Sequence, residues 1–494
     1  MVFKLIALGI YFFILFLIGY FATKRIKNIE DYYVGGKKLG YWVVAFSTRA
    51  TGESAWLLLG LTGLGAFAGV SAYWVVLGEV LGVTVAWFYM AKPFKELTDK
   101  YNSITVPDYL VSRFQSKSNL LRIISATTLS VFVVIFVSAQ IDATGSAFEA
   151  FLGFNYYIGA LIGFAIVVAY IFFGGFVAVA WSDLFQGGIM AIGLIVLPIV
   201  GFFYLDQGPV LERLESIDPG LVNPWGPGGL NALNIATILG YAFIGLGFMG
   251  SPQVFVRFMS IRDEQEINKG RWVAIVYTLI TDAAAVTIGI FGRYLFTDAG
   301  VDVEAVLGNG AQDVVIHSVD KMMPDLVIGF YVAVVLAAIM STIDSLLVVA
   351  SSAVVRDFYQ QIFRPGALTD SLTRLSRMVT LLMAVAALCL AFTVAVTTPE
   401  RTIFWFVIFG WSGIAATFCP VIILSLFWED YTEKGAITSM VVGFFCIPFF
   451  KFVMTSIPEY GIYFDRVAEL GPSFALSMLA GYVVTKWELR QQKN

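Results

Sequence analysis

Charge is what this sequence has least of. Only 13% of its 494 residues are Asp, Glu, Lys or Arg, against about 25% in a soluble domain. So little charge cannot clothe a water-facing surface, and a lipid bilayer must be the main solvent. The net charge of −4 says little about partners, because the placement of Lys and Arg is what counts; no nucleic-acid partner is expected. Histidine occurs once, as His317, in a polar segment where a surface role suffices. Cysteine occurs three times, as Cys389, Cys419 and Cys446, each inside an apolar run, which excludes a disulfide framework and any metal-ligand spacing. No nucleophile–base constellation is visible, so an enzyme is not expected. A nucleotide-binding loop is also missing, which argues against an ATP-driven pump.

What is there is apolar: 59% of the residues are hydrophobic. Thirteen runs are long enough to cross a bilayer, from 4–22 through 41–69, 72–91 and 119–150 to 470–486. The first lacks a small-residue cleavage site and is followed directly by Lys24, Arg25 and Lys27, so it reads as a retained span. Loops on one side collect most of the Lys and Arg, including Arg257, Arg262, Lys269 and Arg271. The other side has only Lys4, Arg213, Arg293, Lys321, Arg401, Lys451 and Arg466. This asymmetry puts the N-terminus outside and the C-terminus in the cytoplasm of a bacterial inner membrane. The expected division is an extra helix and loop (1–40), a five-helix block (41–204), an external loop (205–232), a second five-helix block (233–427) and two final helices with a short tail (428–494).

Two spans carry chemistry that breaks helices. The second reads AFSTRATGESAW, small and polar in mid-span, and the seventh reads GYAFIGLGFMGSPQVF, with Gly245, Gly247, Gly250, Ser251 and Pro252. Proline removes a donor and glycine weakens helix, so both should open. Freed backbone groups survive in a membrane only where they line a protected cavity, and paired broken spans are the best pointer to a transport site. Each broken span opens a block of five, and five is odd, so the blocks are inverted relative to one another. The fold expected is all-α and polytopic, an inverted repeat of five and five helices with its first and sixth core helices broken. A channel or a membrane sensor could share that architecture. Sensors of this kind append a signalling domain, whereas this chain ends soon after its last span. A monomer is the expected functional unit.

Over residues 5–485 the chain resembles the sodium/solute symporter family, closest to its sodium/proline branch. The resemblance is carried by DYYVGGKKLG (31–40), SAWLLLGLTG (54–63), VPDYLVSRF (106–114), GGFVAVAWSDLFQ (174–186), GSPQVFVRFM (250–259) and AAIMSTIDSLLVVASSAV (337–354). It implies thirteen helices, a LeuT-type core and solute uptake driven by sodium, with Na+ the coupling ion and no other cofactor. It also implies a sodium site of the Ser341 and Thr342 hydroxyls with the carbonyls of Ala338, Ala50 and Glu53. Some members bind a second sodium, and Asp183, Asp344 and Ser345 match that site; an N-cap role for Asp183 is the competing reading. The solute is expected to be small and polar, an amino acid or another carboxylate, drawn to the half-helix N-terminus after Gly52. Ser54, Trp56, Glu79, Phe136, Gln140, Phe248 and Ser251 are the expected lining.

The chain departs from the branch where it matters. Gly52 stands in place of an aspartate, Glu53 in place of an apolar residue and Arg49 in place of a small one. The branch's pocket tyrosines and tryptophan are Phe136, Ile244 and Phe248 here. Arg49 is the one basic residue placed deep in the membrane, with Glu53, Glu79, Asp142 and Asp282 as buried acids. Three accounts stay open: a charge network of Arg49, Glu53 and Asp142; a coupling proton on Glu53, making a proton-coupled or sodium-independent carrier; and an Arg49 clamp on a substrate carboxylate.

Overall fold

A computed structural model describes residues 2–26, 28–205, 209–367 and 369–492. Lys27, which follows the first apolar run, lies outside them. Among the described residues the chain is helical throughout, with one isolated β-bridge between Leu39 and Ile261. The principal helices are α1 (Val2–Thr23), α2 (Tyr41–Gly52), α3 (Thr62–Ala68), α4 (Tyr73–Val85), α5 (Leu120–Leu152), α6 (Tyr156–Phe202), α7 (Ala232–Phe243) and α8 (Pro252–Ser260). There follow α9 (Glu264–Phe296), α10 (Asp325–Ser352), α11 (Thr369–Thr397), α12 (Ile403–Phe427), α13 (Glu433–Pro448) and α14 (Leu470–Gln491).

Ten helices are each long and apolar enough to cross a membrane among the described residues, or eleven if the bent pair Gly461–Val467 and Leu470–Gln491 is one span. The expectation of thirteen is higher for physical reasons. The helical run Trp56–Lys100 holds parts of two expected spans, separated only by the tight turn at Gly69, whose φ is +62°. Gly175, at φ +52°, bends α6 between the expected fifth and sixth spans. α2 alone, with 12 residues, is too short to cross.

Both expected breaks are present. α2 ends at Gly52, and Glu53 leaves the helix at φ −92°, ψ 76°. The chain resumes as a wide π-type turn over Trp56–Leu61 before α3. In the seventh span α7 tightens into a 3-10 turn at Ile244–Phe248. Gly250 then takes φ +146°, a conformation side chains resist, and Pro252 starts α8 where its missing N–H costs nothing. α4 holds this second break by direct backbone contact: a Cβ on Gly245 would lie 1.9 Å from the Gly78 carbonyl oxygen, the close approach that small residues allow between membrane helices.

α10 forms the centre of the bundle, buried from Ile328 to Ser352 apart from Phe330. α1 and α11 each expose one face of large apolar residues, such as Phe13, Phe16, Leu382 and Val396, as a lipid-facing surface requires. Trp42, Tyr89, Trp272 and Trp487 are exposed, and aromatic side chains of this kind anchor at membrane interfaces.

Candidate functional site

The end of α2 is clasped by α10. Ser341 Oγ donates to the Ala50 carbonyl at 2.8 Å and to Ala338 O at 3.1 Å. Thr342 Oγ1 reaches Thr51 O at 3.2 Å and Ala338 O at 3.3 Å. Ser341, Thr342, Ala338 and Ala50 therefore meet in one fully buried cluster of neutral oxygens, the donor set a hard monovalent cation takes without fixed charge. Thr51, which sequence reasoning passed over, supplies the second α2 carbonyl. Position 53 does not join this cluster by any hydrogen bond among the described residues: its N–H donates to Arg49 O at 2.7 Å, and its carboxylate turns to the opposite flank.

One flank of α2 is organised by Arg257, in the last turn of α8. Its guanidinium lies 2.9 Å from Asp183 Oδ2 and donates to Ser47 at 2.7 Å, as well as to Thr51, Ser345 and the Gln253 carbonyl. Both charged side chains are fully buried. This corrects two expectations. Arg257 is not a loop charge, and Arg49 is not alone in depth. Asp183 is not an N-cap: it lies inside α6 and pairs with a guanidinium that also bonds Ser345, while its Oδ1 has no partner. Asp344, beside it, accepts from Ser345 Oγ at 3.3 Å.

The other flank is organised by Arg49. Its Nη2 donates to Glu53 Oε1 at 2.6 Å and to Glu79 Oε2 at 3.1 Å, and its Nε donates to Glu53 at 3.0 Å. Thr281 Oγ1, on α9, donates to Glu53 Oε1 at 3.0 Å and stands 3.4 Å from Asp282 Oδ1. Glu79 and Asp282 are neighbours in this cluster. The Arg49 guanidinium lies 4.6 Å from the Phe248 ring centroid. Its Nη1 has no partner, and neither do Glu53 Oε2 and Asp282 Oδ2.

Asp142 does not belong to this network. It pairs with Arg401 Nε at 3.1 Å and accepts from the Tyr156 hydroxyl. That group borders a separate cavity of about 350 Å³, also lined by Ser146, Asn309 and Gln312. Glu79 takes the place expected for Asp142, because α4 rather than α5 passes beside Arg49.

Of the expected solute lining, no residue is more than 3% exposed, so the site is sealed from both faces. Gln140 caps the second half-helix: its Oε1 accepts from Ala55 N–H at 3.1 Å and its Nε2 donates to Ser54 Oγ at 3.1 Å. The N–H groups expected to attract an anion are thus partly met by a side chain. Trp56 Nε1 closes onto Gly52 O at 2.9 Å, and Ser251 Oγ onto Gly247 O at 2.6 Å. Phe248 and Phe136 flank Trp411, at ring separations of 4.9 and 6.3 Å. Trp411 was not singled out from sequence, yet it returns a tryptophan to the pocket from α12 and ties the second break by donating to Ile244 O at 3.0 Å. Gln253 was missed as well. It follows the second break, is 1% exposed, and neither atom of its amide head has a partner. Its place after SP, at the opening of a half-helix, was the available signal.

Comparisons with known proteins bear on the family and the fold. Residues 32–443 match the model of the sodium:solute symporter family. The high-affinity proline transporter PutP of Bacillus subtilis is 36% identical over 471 residues, covering 95% of each chain. The sodium/proline symporter of Escherichia coli is 33% identical over 441 residues, covering 89% of this chain and 86% of its own. Among solved structures, a Na+-coupled sialic acid symporter in a substrate-bound outward-open state superposes with a TM-score of 0.77 at 16% identity, covering 98% of this chain and 97% of its own. The nucleobase-cation-symport transporter Mhp1 gives 0.55 at 13% identity, covering 92% of this chain and 94% of its own. The architecture is that of a LeuT-type core.

Proposed function

Since this chain belongs to the sodium:solute symporter family, and is a membrane-embedded, sodium-coupled symporter of a small solute, we propose that its solute is a small carboxylate, an amino acid first among them, carried by alternating access. Sodium is held by the Ser341 and Thr342 hydroxyls with the carbonyls of Ala338, Ala50 and Thr51. The solute lies between the breaks at 53–55 and 244–251, where Arg49 Nη1 receives its carboxylate. One observation carries this reading. Arg49 spends two of its three nitrogens on acids and keeps Nη1, fully buried, without a partner. A Cβ at Gly52 would lie 3.8 Å from that atom, so the donor stands at the first break, against Phe248 from the second. Buried polar groups do not stay unpaired without cause, and a guanidinium is suited to a carboxylate. The proline transporters among the relatives make L-proline the first solute to try. The loss of an aspartate at Gly52 and the phenylalanines of the pocket make other amino acids real competitors.

The protein acts as a monomer in a bacterial inner membrane, with the N-terminus outside. The excess of Lys and Arg on the C-terminal face supports this orientation, and moving Arg257 into the interior leaves the asymmetry standing. The test is uptake of a panel of radiolabelled amino acids into proteoliposomes. At least one is expected to accumulate under an inward sodium gradient and not under an equal potassium gradient. Accumulation indifferent to sodium would remove the ion assignment, and no accumulation of any amino acid would remove the solute assignment.

A further inference from the structure

The cluster on the Arg49 flank is out of electrical balance. Four ionisable groups converge there from three elements: Arg49 and Glu53 at the first break, Glu79 on α4 and Asp282 on α9. All are at most 1% exposed. One guanidinium against three carboxylates would leave a charge of about −2 in the membrane interior, where even one unpaired charge costs several kcal/mol. The other groups facing the cluster do not correct this. Tyr277 donates its hydroxyl to the Gly187 carbonyl at 2.9 Å, Thr281 is neutral, and Arg257 is committed to Asp183 on the opposite flank of α2. No group of three or more His, Cys, Asp or Glu among the described residues has the arrangement of a metal site.

The unpartnered atoms point to the missing ligand. Glu53 Oε2 and Asp282 Oδ2 are buried acceptors with no donor. Arg49 Nε and Nη2 serve Glu53 and Glu79, and the single Thr281 hydroxyl is shared between Glu53 and the Tyr277 carbonyl at 2.7 Å, leaving Asp282 no donor closer than 3.4 Å. Glu79 and Asp282 are neighbours here, and two carboxyl groups can share a hydrogen bond only when one of them is protonated. What the site lacks is an O–H.

We propose that the Arg49 cluster is a proton-binding site, in which one proton is held between the Glu79 and Asp282 carboxyls while the carrier is closed. Binding converts one carboxylate oxygen to O–H, breaks no other bond, and brings the cluster from about −2 to −1. The proton is released when movement of α2 draws the Arg49–Glu53 pair out of the cluster or admits water to it. Transport is therefore linked to protons as well as to sodium. The inference rests on the placement of these four side chains and stands whatever solute is carried.

The experiment is infrared spectroscopy of the purified full-length protein, titrated from acid to alkaline pH, with hydrogen–deuterium exchange to identify the carbonyl stretch of protonated carboxylic acids. The native protein is expected to retain such a band at neutral pH, and part of it is lost in Asp282→Asn or in Glu79→Gln but kept in Asp142→Asn, whose carboxylate is paired with Arg401. Two substitutions are named because either could impair folding, and the band in the native protein needs neither. A native protein with no protonated carboxyl at neutral pH would overturn the proposal. So would a band that both Asp282→Asn and Glu79→Gln leave intact.

Discussion

Gly52 and Phe248 exclude one another's side chains: a Cβ on Gly52 would come within 2.6 Å of Phe248 Cε1. The two residues belong to different broken spans, so the absence of a side chain at 52 is what lets the breaks close. It also seats the Phe248 ring against the Arg49 guanidinium at 4.6 Å. Gly52→Ala must displace Phe248, and uptake is expected to fall at least about tenfold, equivalent to about 1.4 kcal/mol. Phe248→Ala in the same chain should recover part of that loss. Unchanged uptake by Gly52→Ala would show that the contact does not govern closure.

The Ser341 and Thr342 hydroxyls meet the ends of α2 at 2.8 and 3.2 Å. Ser341→Ala and Thr342→Ala should each raise the sodium concentration for half-maximal uptake by about five- to thirtyfold, the effect of about 1–2 kcal/mol. Maximal uptake at saturating sodium should change less. A loss of maximal rate with unchanged sodium dependence would assign these hydroxyls to packing.

Arg257 and Asp183 form a buried ion pair with no exposure to solvent. Removing one partner leaves an uncompensated charge, so Arg257→Met should destabilise the protein by about 3–5 kcal/mol. Adding Asp183→Asn should restore much of it, read as the midpoint of thermal unfolding in detergent. Equal destabilisation in the single and double variants would contradict the pairing.

Asp142 and Glu53 share no partner: one is held by Arg401 and Tyr156, the other by Arg49 and Thr281. The effects of Asp142→Asn and Glu53→Gln on unfolding should therefore add to within about 0.5 kcal/mol. Coupling above about 1 kcal/mol would return Asp142 to the Arg49 network.

The breaks were legible because their cause is local. Gly52 with its polar neighbours, and Gly245 through Pro252, act through backbone chemistry that a sequence displays. The meeting of Ala50 with Ser341 was legible through the family resemblance, not through the residues alone, and the Thr51 carbonyl that Thr342 reaches was not. Partnerships across the bundle were not legible. Arg257 sits one turn from a loop, and a basic residue there reads as a surface anchor until the half-helix it ends is known to be buried. Asp142 and Glu79 are equally deep acids in sequence. Which of them meets Arg49 depends on α4 lying backbone to backbone against the second break through Gly78 and Gly245. Trp411 looked like one more apolar residue in α12, because only the packing reveals that its indole fills the place vacated elsewhere in the pocket.

The sodium assignment can be tested without knowing the solute, by thermal unfolding of the purified protein across a sodium titration. A ligand that binds only the folded state raises its stability with concentration. The native midpoint should rise with sodium and not with potassium, and the Ser341→Ala/Thr342→Ala double variant should lose the sodium-specific rise. An undiminished rise in the double variant, or no difference between the two ions in the native protein, would contradict a cation held between α2 and α10.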